Sequence, residues 1–346
     1  MSMKINSHTI WRMNNNKKVY VLIPVAPFEP LSIIKRSVTS LRQLKTPYLD
    51  LYIIYIVDCL NGYDERIRYL ENEHIRYICR LNTRGRRAGA VNDAMSSISR
   101  SDGTIDADHI ALFDVDSRPD PDFLMKCINE INNNPDCVIA SGVRYITNCE
   151  SGWVASTIAA EYSFFNDVYR FSRKYDGFIQ FNGLIGVIDA RTLDSIRLNE
   201  HVYCEDLDFT QKVYIAGKKP ALADCSVGEQ APTTIKELYN QRVRWLSGAL
   251  DGLINYIVQF QGAPIPVNRK VAWFISMTLP FAAFILTPLV PVYGLRLWIK
   301  GEDHVFYKTL GLSFHVWLIT LCGMTAVIKR IFRKKTVWTD SSRCDI

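Results

Sequence analysis

The sequence predicts an α/β fold, with a mostly parallel sheet covered by helices on both faces and an apolar helical hairpin at the C-terminal end. Three observations carry this. From residue 19 onward, short and nearly continuous apolar runs alternate with helix-like stretches, as strands buried on both faces do. Carboxylates stand directly after two of those runs, where sheets of this kind bind ligands. The last third of the chain holds two long uncharged segments.

In chain order, residues 19–25 form a β-rich run stopped by Pro27, and a helical pattern covers 31–44. A second apolar run, 51–57, ends at Asp58, and a third covers 75–79. Small residues over 88–98 suggest a closely packed helix, followed by the apolar run 109–113. The next helix begins near Pro121, whose ring suits a first helical turn. Further helical patterns cover 207–216 and 233–260.

Segment 271–295 carries no charge and includes Pro280, Pro288 and Pro291, while segment 309–328 has His315 as its sole ionisable group. Each reaches the roughly 20 residues that cross a hydrocarbon core of about 30 Å. Arg269 and Lys270 precede the first, and Lys329, Arg330, Arg333, Lys334 and Lys335 follow the second. The positive-inside rule then sets both ends in the cytoplasm and the 296–306 loop outside. The prolines leave a bent or re-entrant first segment open, and two core helices of a soluble protein are the alternative. The expected organisation is a tail to residue 17, a catalytic domain over 18–232, amphipathic interface helices over 233–268, two transmembrane helices over 269–330 and a basic tail over 331–346.

With 346 residues, 48% of them hydrophobic, the chain can bury a large core. A net charge of +6 is modest and does not imply nucleic acid. The nine cysteines form no CxxC pair, which argues against a disulfide framework or structural zinc and for a reduced cytosolic compartment. No apolar run marks a signal peptide at the N-terminus. Neither GxGxxG after the first strand nor GxxxxGK[ST] occurs, so dinucleotide-binding and P-loop readings lose their support.

Four segments could carry chemistry. Asp114 and Asp116 follow an apolar strand, and two such carboxylates can share a hard cation with phosphate oxygens. The same spacing recurs at Asp106/Asp108, Asp120/Asp122 and Asp206/Asp208, so the strand end is what singles this pair out. Glu205 and Asp206 open a helix, either as acids complementing its dipole or as a general base. Gln241, Arg244 and Trp245 share one helix face, suited to a diphosphate and a sugar ring or to a membrane surface. Arg84 to Asn92 forms a basic, glycine-bearing loop opening a helix, which could cradle a diphosphate or stay solvated.

Taken in order, VYVLIPV, IVD at 56–58, RAGAVN at 87–92, FDVDSRPDPDFL at 113–124, FNGLIGVI at 181–188, CEDLDFT at 204–210, EQAPTT at 229–234 and QRVRW at 241–245 resemble family-two inverting glycosyltransferases of the GT-A fold. The likeness is to the branch of cellulose, chitin and hyaluronan synthases and membrane glycolipid glucosyltransferases. It implies that Asp58, Arg87, Asn92, Asp114, Gln241 and Arg244 bind a nucleotide sugar. Asp116, with Asp114, would hold Mg²⁺ or Mn²⁺, Asp206 would be the catalytic base beside Glu205, and Trp245 and Gly183 would frame the acceptor. Two positions depart from the family pattern: Cys59 follows Asp58 in place of an acid, and Cys204 replaces a threonine before Glu205.

The resemblance implies transfer from a nucleotide-diphosphate sugar, a UDP-hexose first, to a lipid-borne or membrane-associated acceptor at the cytoplasmic leaflet. The alternative is a processive β-polysaccharide synthase acting as a homo-oligomer, because one hairpin supplies too few helices for a channel. QRVRW and the tryptophan- and arginine-bearing stretch 337–343 favour that alternative. A nucleotide-sugar sensor without activity is a third reading. The partners expected are the donor, a lipid or glycan acceptor and the bilayer, and no nucleic acid.

Overall fold

The structure, a computed structural model, describes residues 16–60 and 62–334. The N-terminal tail up to residue 15 and the basic tail from 335, with its 337–343 stretch, lie outside the described residues. The catalytic region runs β1 (Lys17–Val25), α1 (Leu31–Leu41), β2 (Leu49–Asp58), α2 (Glu65–Asn72), β3 (Arg76–Arg80), α3 (Arg86–Ser97), β4 (His109–Leu112), β5 (Arg118–Pro119), α4 (Phe123–Asn133), β6 (Cys137–Ile146), α5 (Trp153–Lys174), β7 (Gly186–Asp189), α6 (Ala190–Ser195), α7 (Glu205–Ile215) and β8 (Lys219–Glu229). The strands join in one sheet, ordered β3-β2-β1-β4-β7-β6-β8-β5.

Alternation along β1 shows why the sheet is buried on both faces. Val19, Val21, Ile23 and Val25 pack with α1, α2 and α4, whereas Tyr20 and Leu22 pack with α3, α6 and α7. Strands β1–β4 pair in parallel, as expected. Beyond them the sheet is mixed: β7 runs antiparallel to β4 and β6, and β5 antiparallel to β8. β6 pairs with β8 in parallel, so four of the seven pairings are parallel and the sheet is mostly parallel, as expected.

The C-terminal part begins with α8 (Ile235–Gly262), capped by the Thr234 side chain accepting from the Glu237 N–H. It continues through α9 (Val267–Thr278), a 3₁₀ stretch (Leu279–Leu289), α10 (Val290–Ile299) and α11 (Val305–Ile331). Val267–Ile299 and Val305–Ile331 are both long and apolar enough to cross a membrane. The first is broken at its prolines: Pro288 lies inside the 3₁₀ stretch and Ala282 leaves helical geometry.

The turn between α10 and α11, expected to lie outside, is tied to α5. Arg296 and Lys300 reach back to Asp167 on α5, at 3.2 and 3.0 Å, and Tyr293 meets Phe164 edge-on at 5.4 Å. At the other end of the broken segment, Arg269 pairs with Asp176 at 2.6 Å. A carboxylate of α5 and one just past its end thus partner the basic residues at the two ends of the broken segment.

Candidate active site

The carboxyl ends of β2, β3 and β4 build one edge of the site. Asp58 closes β2 and is buried, 2.9 Å from the Arg80 guanidinium at the end of β3. Burial pushes the Asp58 carboxyl up to about 6, with the charge of Arg80 opposing. Arg80 is a hub that the sequence reading did not mark. It also donates to the Arg86 carbonyl at 3.2 Å and to that of Arg84, and pairs with Asp93 at 2.9 Å. It thereby shapes the basic loop from within.

That loop turns into α3 through Gly85, whose φ of +61° is left-handed. Arg84 is pinned to Asp93 and Glu200, leaving Arg87 to pair with Asp114 at 2.9 Å. Asn92 does not face this pair. Its amide donates to the Leu198 carbonyl at 2.9 Å and to Glu200 at 3.0 Å, and its carbonyl accepts from the Leu198 N–H. It clamps the 198–200 loop against α3.

Asp114 to Ser117 form a tight turn after β4: the Asp114 N–H donates to Ser117 Oγ and the Ser117 N–H to the Asp114 carbonyl. Asp116 is buried within it and accepts from the Gln230 N–H at 3.1 Å. The EQAPTT stretch after β8 therefore supports the aspartate expected to hold a metal. Its Glu229 pairs with the half-buried Arg144 of β6.

Asp206 sits in the first turn of α7. Its Oδ2 accepts from the Gly183 N–H at 2.6 Å and its Oδ1 from the Leu207 N–H at 2.8 Å. Gly183 has φ +60°, and a Cβ there would lie 3.1 Å from Arg144 Nη2, so conformation and space both favour glycine. Glu205 is buried beside it. Burial raises its carboxyl above the ordinary range, the charge of Asp206 adds to this, and Arg87 and Arg244 oppose. One carboxylate turn thus lies in the field of two arginines from separate elements.

Helix α8 brings QRVRW against α7. Gly248 allows the approach, since a Cβ there would meet Cys204 Sγ at 2.6 Å. Arg244 donates to the Tyr203 carbonyl at 3.2 Å. Gln241 and Trp245 are both held by Arg242, which the sequence reading left aside: its Nη1 donates to Gln241 Oε1 at 2.8 Å and its guanidinium lies 4.0 Å from the Trp245 ring centre.

Arg87, Asp114, Glu205, Asp206, Gly183 and Arg244 are therefore drawn together, with Asp116 beside Asp114, while Asp58 and Asn92 are engaged at the margin. Residues 109–328 match the family described as "Glycosyl transferase family group 2", and residues 22–190 match "Glycosyl transferase family 2". The chain belongs to the family-two glycosyltransferases. Among relatives, it is 29% identical over 183 residues to glucomannan 4-beta-mannosyltransferase 7 of Arabidopsis thaliana, 51% of this chain and 32% of that protein. It is 24% identical over 340 residues to probable glucomannan 4-beta-mannosyltransferase 11 of Oryza sativa subsp. japonica, 93% of this chain and 56% of that one. The chain spans about half the length of such curated relatives. Its fold is similar to that of mannosyltransferase PcManGT from Pyrobaculum calidifontis, solved with GDP-Man and Mn²⁺, at a TM-score of 0.63 and 14% identity over 92% of this chain and 88% of that one.

The glycosyltransferase site can be tested for a metal by its donors. Among the described residues no group of three or more His, Cys, Asp or Glu side chains is placed to hold an ion. Two hard carboxylates at a strand end suit Mg²⁺ or Mn²⁺, which keep water and take phosphate oxygens for most of their shell. Asp114 and Asp116 fit that requirement, and Arg87 would stand beside the same phosphates.

Proposed function

We propose that the protein is a metal-dependent, inverting hexosyltransferase that moves a sugar from a nucleoside-diphosphate sugar to an acceptor hydroxyl at a membrane. The observation that carries this is the Asp206 carboxylate, oriented by the Gly183 and Leu207 N–H groups at the α7 N-terminus, in the same site as the Arg87–Asp114 pair. Asp206 takes the proton of the attacking hydroxyl as the new bond forms at the anomeric carbon, on the face opposite the leaving diphosphate. Arg87 and Arg244 bind the diphosphate through their planar forks. Glu205 adds negative charge facing both guanidiniums, Gln241 borders the diphosphate, and Trp245 and Gly183 frame the acceptor. Asp58 meets the nucleobase, and Asn92 acts by fixing the loop beside it. When bound to Asp114 and Asp116, Mg²⁺ or Mn²⁺ supplies Lewis-acid neutralisation of the departing diphosphate.

For the donor, the sequence points to a UDP-hexose, whereas the relatives are named mannosyltransferases and the archaeal structure was solved with GDP-Man. GDP-mannose therefore joins the UDP-hexoses as a first donor to assay. The acceptor in this reading is lipid-borne, presented at the cytoplasmic leaflet beside the apolar hairpin. The glucomannan names of the relatives favour a second reading, a processive β-polysaccharide synthase working as an oligomer.

Purified protein given labelled UDP- and GDP-sugars with lipid extract separates the two. Organic-extractable product supports the first reading and a high-molecular-weight polymer the second. Asp206→Asn is expected to lower turnover at least about 10²-fold, the scale of a general base, with donor affinity kept. Near-normal turnover by that variant would remove Asp206 from its role.

A further inference from the structure

Within its uncharged run the apolar C-terminal helix contains one basic side chain, His315, and it is buried. An ionisable group in such a helix points by default to a function shared with a partner. Here the partner is Glu161 of α5, also buried, whose Oε1 lies 3.0 Å from His315 Nε2. The other oxygen of Glu161 accepts from Arg242 Nη2 at 2.5 Å. Burial alone would raise the Glu161 carboxyl, but Arg242 and then His315 bring it down to about 2.

Three features show a built junction. Arg242, the second residue of QRVRW, is buried and contacts both the preceding Gln241 and, three residues on, Trp245. One turn before His315, Gly311 lets α11 approach α5 so closely that a Cβ would fall 2.2 Å from Thr157 Oγ1. Thr157 in turn lies one turn before Glu161, so the same two helix faces meet twice in register. Buried ion pairs add little stability over an apolar replacement, and their best-attested use is to fix one geometry.

We propose that His315, Glu161 and Arg242 form a positioning relay, in which the seating of α11 sets the orientation of Trp245 and Gln241 and hence the acceptor side of the site. None of the three need touch substrate. Glu161 fixes the Arg242 guanidinium through one oxygen and answers to α11 through the other. The guanidinium plane then fixes the indole that stacks on it. The proposal rests on the transferase reading for its kinetic consequence, but the Trp245 orientation it describes holds for any ligand.

His315 is the position to test, because the Glu161–Arg242 pair survives its removal. In the full-length protein in detergent, His315→Phe is expected to raise the KM for lipid acceptor about tenfold, with donor affinity and acceptor-free diphosphate release close to those of the parent. His315→Gln keeps a donor toward Glu161 and is expected to retain the parental acceptor KM. Trp245 emission, taken as the difference between the protein and its Trp245→Phe variant, provides a readout independent of any substrate. It is expected to shift in His315→Phe and to return in His315→Gln. An unchanged Trp245 emission in His315→Phe overturns the relay even if no donor proves active. Equal losses of donor binding, diphosphate release and transfer also overturn it, because they indicate general unfolding. Absence of diphosphate release by the parent protein, with the emission shift present, refutes the transferase reading alone.

Discussion

Asp58 shows how one buried carboxyl links site geometry to stability. Its proton is held more tightly in the folded chain, up to about 6, than in an unfolded chain, where an aspartate titrates near 4. Between those values the folded state binds more protons than the unfolded state. This group therefore favours folding most below about pH 4 and loses that contribution as pH climbs through about 6. Asp58→Asn is expected to flatten the fall in thermal midpoint across that window. A variant with the parental slope would mean that Asp58 does not titrate there. Asp58, Asp114 and Asp116 stood out in the sequence because they follow apolar runs, and Asp206 because it opens a helical pattern. Arg80 and Arg144 did not: their partners lie 22 and 85 residues away, and only the folded sheet brings them together.

Helix α8 sits on α7 through glycine, and that contact carries the Glu205–Asp206 turn. A methyl group at Gly248 would meet Cys204, the residue before Glu205, through both Sγ at 2.6 Å and Cβ at 2.7 Å. Alanine has the better helix propensity by about 1 kcal/mol, so propensity alone predicts that Gly248→Ala stabilises. The clash opposes it, since forcing a methyl into a packed contact costs about 1–3 kcal/mol. Gly248→Ala is expected to lower the thermal midpoint and kcat together. Gly262→Ala, on the same helix with open space around its Cβ, serves as the control without that loss. A stabilised Gly248→Ala would show that α7 and α8 are not in this contact. Strands β1 to β4 were readable as apolar runs, but α5 was not. It buries Glu161 and Thr157 while exposing Phe165 and Phe171, the reverse of the pattern an amphipathic helix shows in sequence. Its outward aromatics become intelligible once the C-terminal helices are seen beside it.

At the scale of the whole molecule, the disposition of the apolar third follows from where its charges are held. Arg269 and Arg296 bracket the first apolar segment and pair with Asp176, just past the end of α5, and with Asp167 within it. Nine residues join Asp167 to Asp176 and span at most about 32 Å, whereas a straight 33-residue helix would extend about 50 Å. The break at Leu279–Leu289 lets the chain go out and return. Helix α11 is held along its length in the same way, by Thr157 and Glu161 of α5, then by Tyr239 and Asp251 of α8. The apolar side chains Phe274, Ile285, Leu295, Trp317 and Met324 are left exposed, on helices with ion pairs to α5, to Asp176 just past it, and to α8. Positive charge placed the two ends of the hairpin on one side in the sequence, but ion pairs across 133 residues were invisible there. The resulting prediction is specific to the turn. With the exposed Cys79 and Cys149, and Cys344 of the C-terminal tail, replaced by serine, Gly301→Cys is expected to react with a membrane-impermeant maleimide from the side that carries the catalytic region. Labelling from the opposite side alone would show that the turn crosses the bilayer, and that Arg296 and Lys300 leave Asp167 when the hairpin enters lipid.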